Sequence, residues 1–173
     1  SVNISGGTDL GTHSITFNYL DQEGTVINSK YNRFGLGLNL NRNISKTFKV
    51  GTSTSLASTL TNGVKTGTDK SDAASAGVIR SALTFPSTIS DPIAYDGVGD
   101  AFITNPYVYV NDAMNTVKSL NIFSSNYAEA TFLKDFKFRQ NVGFNYSNSA
   151  RDQYYPRTVY EGFAMKGWGL KAD

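Results

Sequence analysis

Residues 31–58, YNRFGLGLNLNRNISKTFKVGTSTSLAS, constrain the fold more than any other stretch of the 173-residue chain. Phe34, Leu36, Leu38 and Leu40 alternate with Gly35, Gly37, Asn39 and Asn41. A period of two sends the apolar residues to one face of a strand and leaves glycine and amide on the other. After a turn at 43–46 the pattern returns, with Phe48, Val50, Thr52, Thr54 and Leu56 set against Lys49, Gly51, Ser53 and Ser55. Alternation also suits a soluble sandwich. Length separates the two, because each strand runs about 9 to 11 residues, enough for a tilted strand to cross a bilayer and longer than the roughly 5 to 6 usual in soluble sheets. The expected class is all-β, an antiparallel up-and-down transmembrane β-barrel segment.

The rest of the chain extends this pattern. Val2 and Ile4 mark a first strand that ends at Gly6-Gly7, and residues 8–11 provide a short reversal. In the second strand Ile15, Phe17 and Tyr19 oppose Ser14, Thr16 and Asn18. A polar connection from Asp21 to Asn32 leads into the hairpin, so that four strands occupy residues 1–58. Residues 59–120 form a long insertion in which Pro86, Pro92 and Pro106 rule out continuous regular structure. One helix is expected there at about residues 72–84, capped by Asp72 and stopped ahead of Pro86, with Val78, Ile79, Ala82 and Leu83 as its buried stripe. The insertion's aromatics, Tyr95, Phe102, Tyr107 and Tyr109, argue for an ordered loop.

Two further strands are expected within 121–147. The first is ambiguous in facing: Ala128 and Ala130 oppose Tyr127, Glu129 and Thr131, and Glu129 should point away from lipid. The second puts Phe136, Phe138, Val142, Phe144 and Tyr146 on one face, interrupted by Gln140, and Lys137, Arg139, Asn141, Gly143 and Asn145 on the other. Residues 148–173 read as another polar, aromatic loop. Connections are thus short after strands one, three and five and longer after two, four and six. Outer-membrane barrels have this arrangement, with brief periplasmic turns on one rim and extended extracellular loops on the other. Tyr19, Phe34, Phe48, Phe136 and Tyr146 fall where interfacial aromatic girdles would sit.

Composition narrows the function. Sixteen Lys and Arg against 14 Asp and Glu, scattered singly, give no electrostatic footprint for nucleic acid. The absence of cysteine removes disulfides, thiolate metal sites and cysteine nucleophiles. Apolar runs are too short for a spanning helix, and neither a signal peptide nor an initiating Met is present. The chain starts already in alternation and reads as a piece of something longer.

Several stretches, taken in order, resemble one family. They are Tyr19-Leu20-Asp21-Gln22-Glu23-Gly24, the strand 33–41, Lys49-Val50-Gly51, the run Gly77-Val78-Ile79-Arg80-Ser81-Ala82-Leu83 followed by Pro86, and Tyr154-Tyr155-Pro156-Arg157. The chain is similar along nearly its whole length to SusC/RagA proteins, TonB-dependent outer-membrane transporters of Bacteroidetes. The resemblance implies a plugged barrel of about 22 strands, of which six are expected here. The family's plug, its TonB-contacting segment and its signal sequence have no match in these residues. A SusD-like surface lipoprotein, the TonB complex acting through other parts of the protein, outer-membrane lipid and an oligosaccharide or peptide substrate are the partners it implies.

No cofactor, metal site or enzymatic chemistry is expected. His13 is the only histidine and has no acidic company at ligand spacing. Asp91, Asp96 and Asp100 lack the spacing of a calcium loop. No nucleophile motif or phosphate loop occurs. Gly35 and Gly37 read equally as ordinary strand glycines or as lumen positions that let a plug approach. The candidate substrate contacts are the loop aromatics Tyr95, Tyr107, Tyr109, Tyr154, Tyr155, Tyr160 and Trp168, which offer flat faces and polar handles to a sugar or peptide. The plainer role for each is packing within the loops or against the lipoprotein, and the helix serves better as a brace than as a binding element. The competing architecture is a secreted, soluble β-sandwich that holds a carbohydrate or protein on its loops.

Overall fold

The computed structural model describes residues 1–64, 77–88, 105–132, 136–159 and 162, and the backbone of 168–172. Its strands are β1 (Val2–Thr8), β2 (Gly11–Glu23), β3 (Lys30–Asn43), β4 (Phe48–Asn62), β5 (Met114–Phe132), β6 (Phe136–Tyr155) and β7 (Trp168–Ala172). Helices α1 (Gly77–Thr84) and α2 (Pro106–Asp112) lie between β4 and β5. All seven strands form one sheet, in which each strand neighbours the next in sequence. This is the expected up-and-down arrangement of a β-barrel segment, with one strand more than the sequence predicts.

Local chemistry sets the register. Asp9 and Leu10 turn the chain between the paired Thr8 and Gly11, and the Leu10 amide donates to Thr8 Oγ1 at 3.3 Å. The antiparallel pairing of β1 with β2 then brings Val2 opposite Phe17 and Ile4 opposite Ile15, which puts their side chains on a shared face. Connections at 9–10, 44–47 and 133–135 are short, whereas those at 24–29, 63–113 and 156–167 are longer. The expected alternation of short and long connections is present.

Several boundaries differ from expectation. β5 starts at Met114 rather than near 121, and β6 continues to Tyr155 through residues expected to form a loop. There it pairs with β7 from Arg151↔Ala172 to Tyr155↔Trp168. The period-two signal is lost over these stretches because polar residues occupy both faces. Backbone pairing holds them, and it leaves no mark in side-chain pattern. The connection between β2 and β3 is likewise shorter than 21–32, closing through Gly24 N to Ser29 O at 2.9 Å.

The chain clusters into two compact units. The first comprises 1–21, 32–59 and 119–149; the second comprises 22–31, 60–118 and 150–173. Among the described residues, the first unit buries only Gly35 and Gly51 and has no buried hydrophobic side chain. Many of its large apolar residues, among them Leu36, Leu38, Phe138 and Phe144, are exposed, while Val50, Leu56 and Ile122 are half-buried.

The second unit has a small core of Val78, Tyr109, Val110, Tyr155 and Val159, with Val26, Val64 and Ala113 packed against it. α1 contributes to this core through Val78, beside buried Gly77, whose φ of 79° suits a residue without Cβ. The expected apolar stripe is corrected here: Ile79 and Ala82 are exposed and Leu83 is 81% exposed. The helix meets the core at its first turn, so its later apolar positions project outward. The Asp72 cap and residues 72–76 of that helix lie outside the described residues.

α2 was not foreseen within the insertion. Asn105 caps it, accepting from the Tyr107 amide at 2.9 Å, and Pro106 fits the first turn, where no intrahelical amide is needed.

Candidate functional site

Two faces of the first unit separate cleanly. On the apolar face the Phe17 and Phe34 rings meet edge to face at 5.0 Å. On the opposite face, side chains bond across the strands. Ser14 Oγ donates to Asn3 Oδ1 at 3.1 Å, Ser53 Oγ to Asn39 Oδ1 at 2.7 Å, and Ser147 Oγ to Asn121 Oδ1 at 2.7 Å. Gly35 lies beneath the Asn18 amide, so a Cβ at that position would collide with it.

The densest group on this polar face surrounds Tyr127. Its ring lies over Gly51, where any Cβ would clash, and its hydroxyl donates to Asn41 Oδ1 at 2.9 Å. Arg139 Cζ sits 4.1 Å from the ring centroid. The same guanidinium reaches Glu129 Oε2 at 3.7 Å and Asn141 Oδ1 at 3.3 Å. Strand five is thereby oriented. Tyr127 and Glu129 belong to the polar face, as expected for Glu129, while Ser124 belongs to the apolar face, where its hydroxyl is 2.9 Å from that of Thr54.

His13 stands across from Gly6, and its imidazole lies where a Cβ on that glycine would collide with it. Among the described residues, no three His, Asp or Glu side chains come together to hold a metal ion.

The aromatic candidates of the second unit divide sharply. Tyr109 is 1% exposed and Tyr155 is buried, both in the core. Tyr107 is 63% exposed on α2, and Tyr154 is 48% exposed. Tyr95, Tyr160 and the Trp168 side chain lie outside the described residues. Asn28, at a φ of 63°, donates through Nδ2 to Val110 O at 3.1 Å and Asn111 Oδ1 at 3.2 Å, which fixes the end of α2. Thr158 Oγ1 donates to Asp112 Oδ2 at 2.7 Å. Phe123, which shares the parity of Tyr127 and Glu129, is 52% exposed.

This geometry is that of a sheet with one apolar and one polar face, and it agrees with the comparison to known proteins. The chain is similar to a TonB-dependent receptor. Over 169 residues it is 29% identical to TonB-dependent receptor P3 of Formosa agariphila, a match that covers 95% of this chain and 17% of that protein. The chain therefore spans about a sixth of the length of the receptor it matches. No family model matches the chain.

Proposed function

We propose that this chain is part of the barrel wall of a TonB-dependent outer-membrane transporter that imports an oligomeric nutrient without altering it chemically. The observation that carries the reading is the first unit's exposed apolar face, set against a hydrogen-bonded polar face and accompanied by no buried apolar core. In water such a sheet would leave its hydrophobic surface unburied. In a bilayer that face is solvated by lipid, and the polar face lines the interior. The similarity to the Formosa receptor supports the same reading. The single up-and-down sheet weighs against a soluble sandwich, which needs a second sheet to cover the apolar face.

At finer grain we propose a SusC/RagA-type receptor with about 22 strands. The connections at 24–29, 63–113 and 156–167 are extracellular in this reading, and a SusD-like lipoprotein meets them. TonB couples through other parts of the protein, and the substrate is a glycan or peptide. The core of Tyr109 and Tyr155 braces these loops. Tyr107, exposed on α2, is the described loop aromatic best placed to touch substrate or lipoprotein.

A direct test places a charge on the apolar face. Leu38→Arg in the full-length receptor should destabilise the barrel by about 2–4 kcal/mol if the residue lies near the bilayer midplane. The readout is loss of the heat-sensitive electrophoretic shift of a folded barrel. An unchanged shift and unchanged urea midpoint would refute the lipid-facing assignment.

A further inference from the structure

The apolar face of the first unit is interrupted by charge only near its ends. By strand parity, the charged side chains and imidazole that share this face among the described residues are Asp21, Arg42 and His13. Asp21 stands at one end and accepts from the Tyr19 hydroxyl at 3.4 Å. Arg42 and His13 stand together at the other, beside the short turns at 9–10 and 44–47. Thr8 pairs with Gly11, and a Cβ on Gly11 would come 3.0 Å from Arg42 Cα, so Gly11 lies between Thr8 and Arg42 and puts no side chain there. The result is a recess of about 220 Å³ lined by Thr8, Leu10, Gly11, His13, Leu40 and Arg42. Among the described residues, neither the Arg42 guanidinium nor the His13 imidazole has a hydrogen-bond or ion-pair partner. Lys46 and Asp9, one of each sign, occupy the adjoining turns and leave the net charge to Arg42.

Depth supports a polar ligand at this point and an apolar one beside it. Arg42 lies five residues beyond Gly37, the midpoint of the apolar run from Phe34 to Leu40. At about 3.3 Å per residue and a tilt of about 40°, that is roughly 13 Å along the bilayer normal, half of an apolar band about 25 Å tall. The same end of the sheet carries the rings of Phe48, Phe132 and Phe136, the last two stacked at 5.9 Å, as at a membrane interface. From the recess the apolar face continues through Leu40, Leu38 and Ile15, all exposed.

We propose that this recess binds the phosphodiester of an anionic glycerophospholipid, with the acyl chains lying along Leu40, Leu38 and Ile15. The site rests on the reading of this face as lipid-facing. A guanidinium at the edge of the apolar band needs an anion or water, and a phosphodiester fits its fork of donors. An imidazole N–H and the Thr8 hydroxyl, which accepts from the Leu10 amide and keeps its own proton, add two donors. Free phosphate would use the same donors but leave the adjoining apolar strip uncovered. Of the two, the lipid alone satisfies both halves of the surface.

The test attaches bimane through Leu10→Cys in the full-length receptor, with any other cysteine replaced by serine, in phosphatidylcholine nanodiscs. Quenching by phosphatidylglycerol carrying a nitroxide near its headgroup is compared with quenching by phosphatidylcholine labelled alike. At position 10 the glycerol lipid should be preferred about fivefold, the ratio given by about 1 kcal/mol for one basic residue. Arg42→Gln should abolish the preference, Arg42→Lys should keep part of it, and His13→Ala should reduce it. A bimane at position 144 should be quenched equally by both lipids. The inference is overturned by equal quenching at position 10, by a preference that survives Arg42→Gln, or by a preference that inorganic phosphate at 20-fold excess over the labelled lipid removes. It is also overturned if position 10 is shielded from both lipids, the result expected if another segment of the receptor fills the recess. Quenching at 144 keeps the two claims apart: quenching there without preference at 10 denies only this site, whereas no quenching at either position denies the lipid-facing wall.

Discussion

Tyr127 and Gly51 show how a single glycine can be a receptor for a ring rather than a weak point in a strand. The ring occupies the space a Cβ would fill, and from there its hydroxyl reaches Asn41 and its face carries Arg139. Gly51→Val should therefore displace the ring and cost about 1–3 kcal/mol in urea unfolding, the range for overpacked sites. Tyr127→Phe, which loses only the hydrogen bond, should cost about 0.5–1.5 kcal/mol. On a Tyr127→Ala background Gly51→Val should cost much less, and strict additivity of the two changes would show that they do not interact. The glycine could be read from sequence only as an ordinary strand residue, because its partner stands 76 positions away on another strand. Alternation likewise announced Leu36 and Leu38 as one face but said nothing of which ring would sit bare on the other.

Strands and helices were legible to different degrees, for physical reasons. β2, β3, β4 and the first part of β6 have one apolar and one polar face, and that contrast is what periodicity reports. β7, the start of β5 and the end of β6 are held by backbone pairing with mixed side chains, so in the sequence these strands look like loop. α2 is seven residues long, too short for an apolar period, and its Asn105-Pro106 start was its only local mark. The candidate aromatics split for the same reason: sequence shows which rings exist, and only packing separates buried Tyr109 and Tyr155 from exposed Tyr107 and Tyr154. Tyr109→Ala should cost about 3–5 kcal/mol as a large core truncation and open the 63–113 connection to limited proteolysis. Tyr107→Ala should leave the cleavage pattern unchanged and stability within about 0.5 kcal/mol. Equal protease resistance in both variants would remove Tyr109 from its bracing role.

At the scale of the whole molecule, the two units solve different burial problems. The second has a core of its own, built by residues from β6, α1, α2 and the segment after β6. Among its described residues the first has no buried apolar side chain, so apolar burial has to come from what contacts its apolar face. Lipid on that face and an aqueous interior opposite is the central claim, and the sequence similarity to one stretch of a TonB-dependent receptor accords with it. The most direct measurement attaches a nitroxide in turn at Leu38, Asn39, Phe144 and Asn145 of the full-length receptor in liposomes. Collision rates with oxygen, which concentrates in lipid, and with a water-soluble nickel complex then report the surroundings of each site. Positions 38 and 144 should favour oxygen, and 39 and 145 should not, so that preference reverses at each step along the strand. Equal oxygen preference at neighbouring positions, or nickel access at 38 and 144, would contradict a lipid-facing wall.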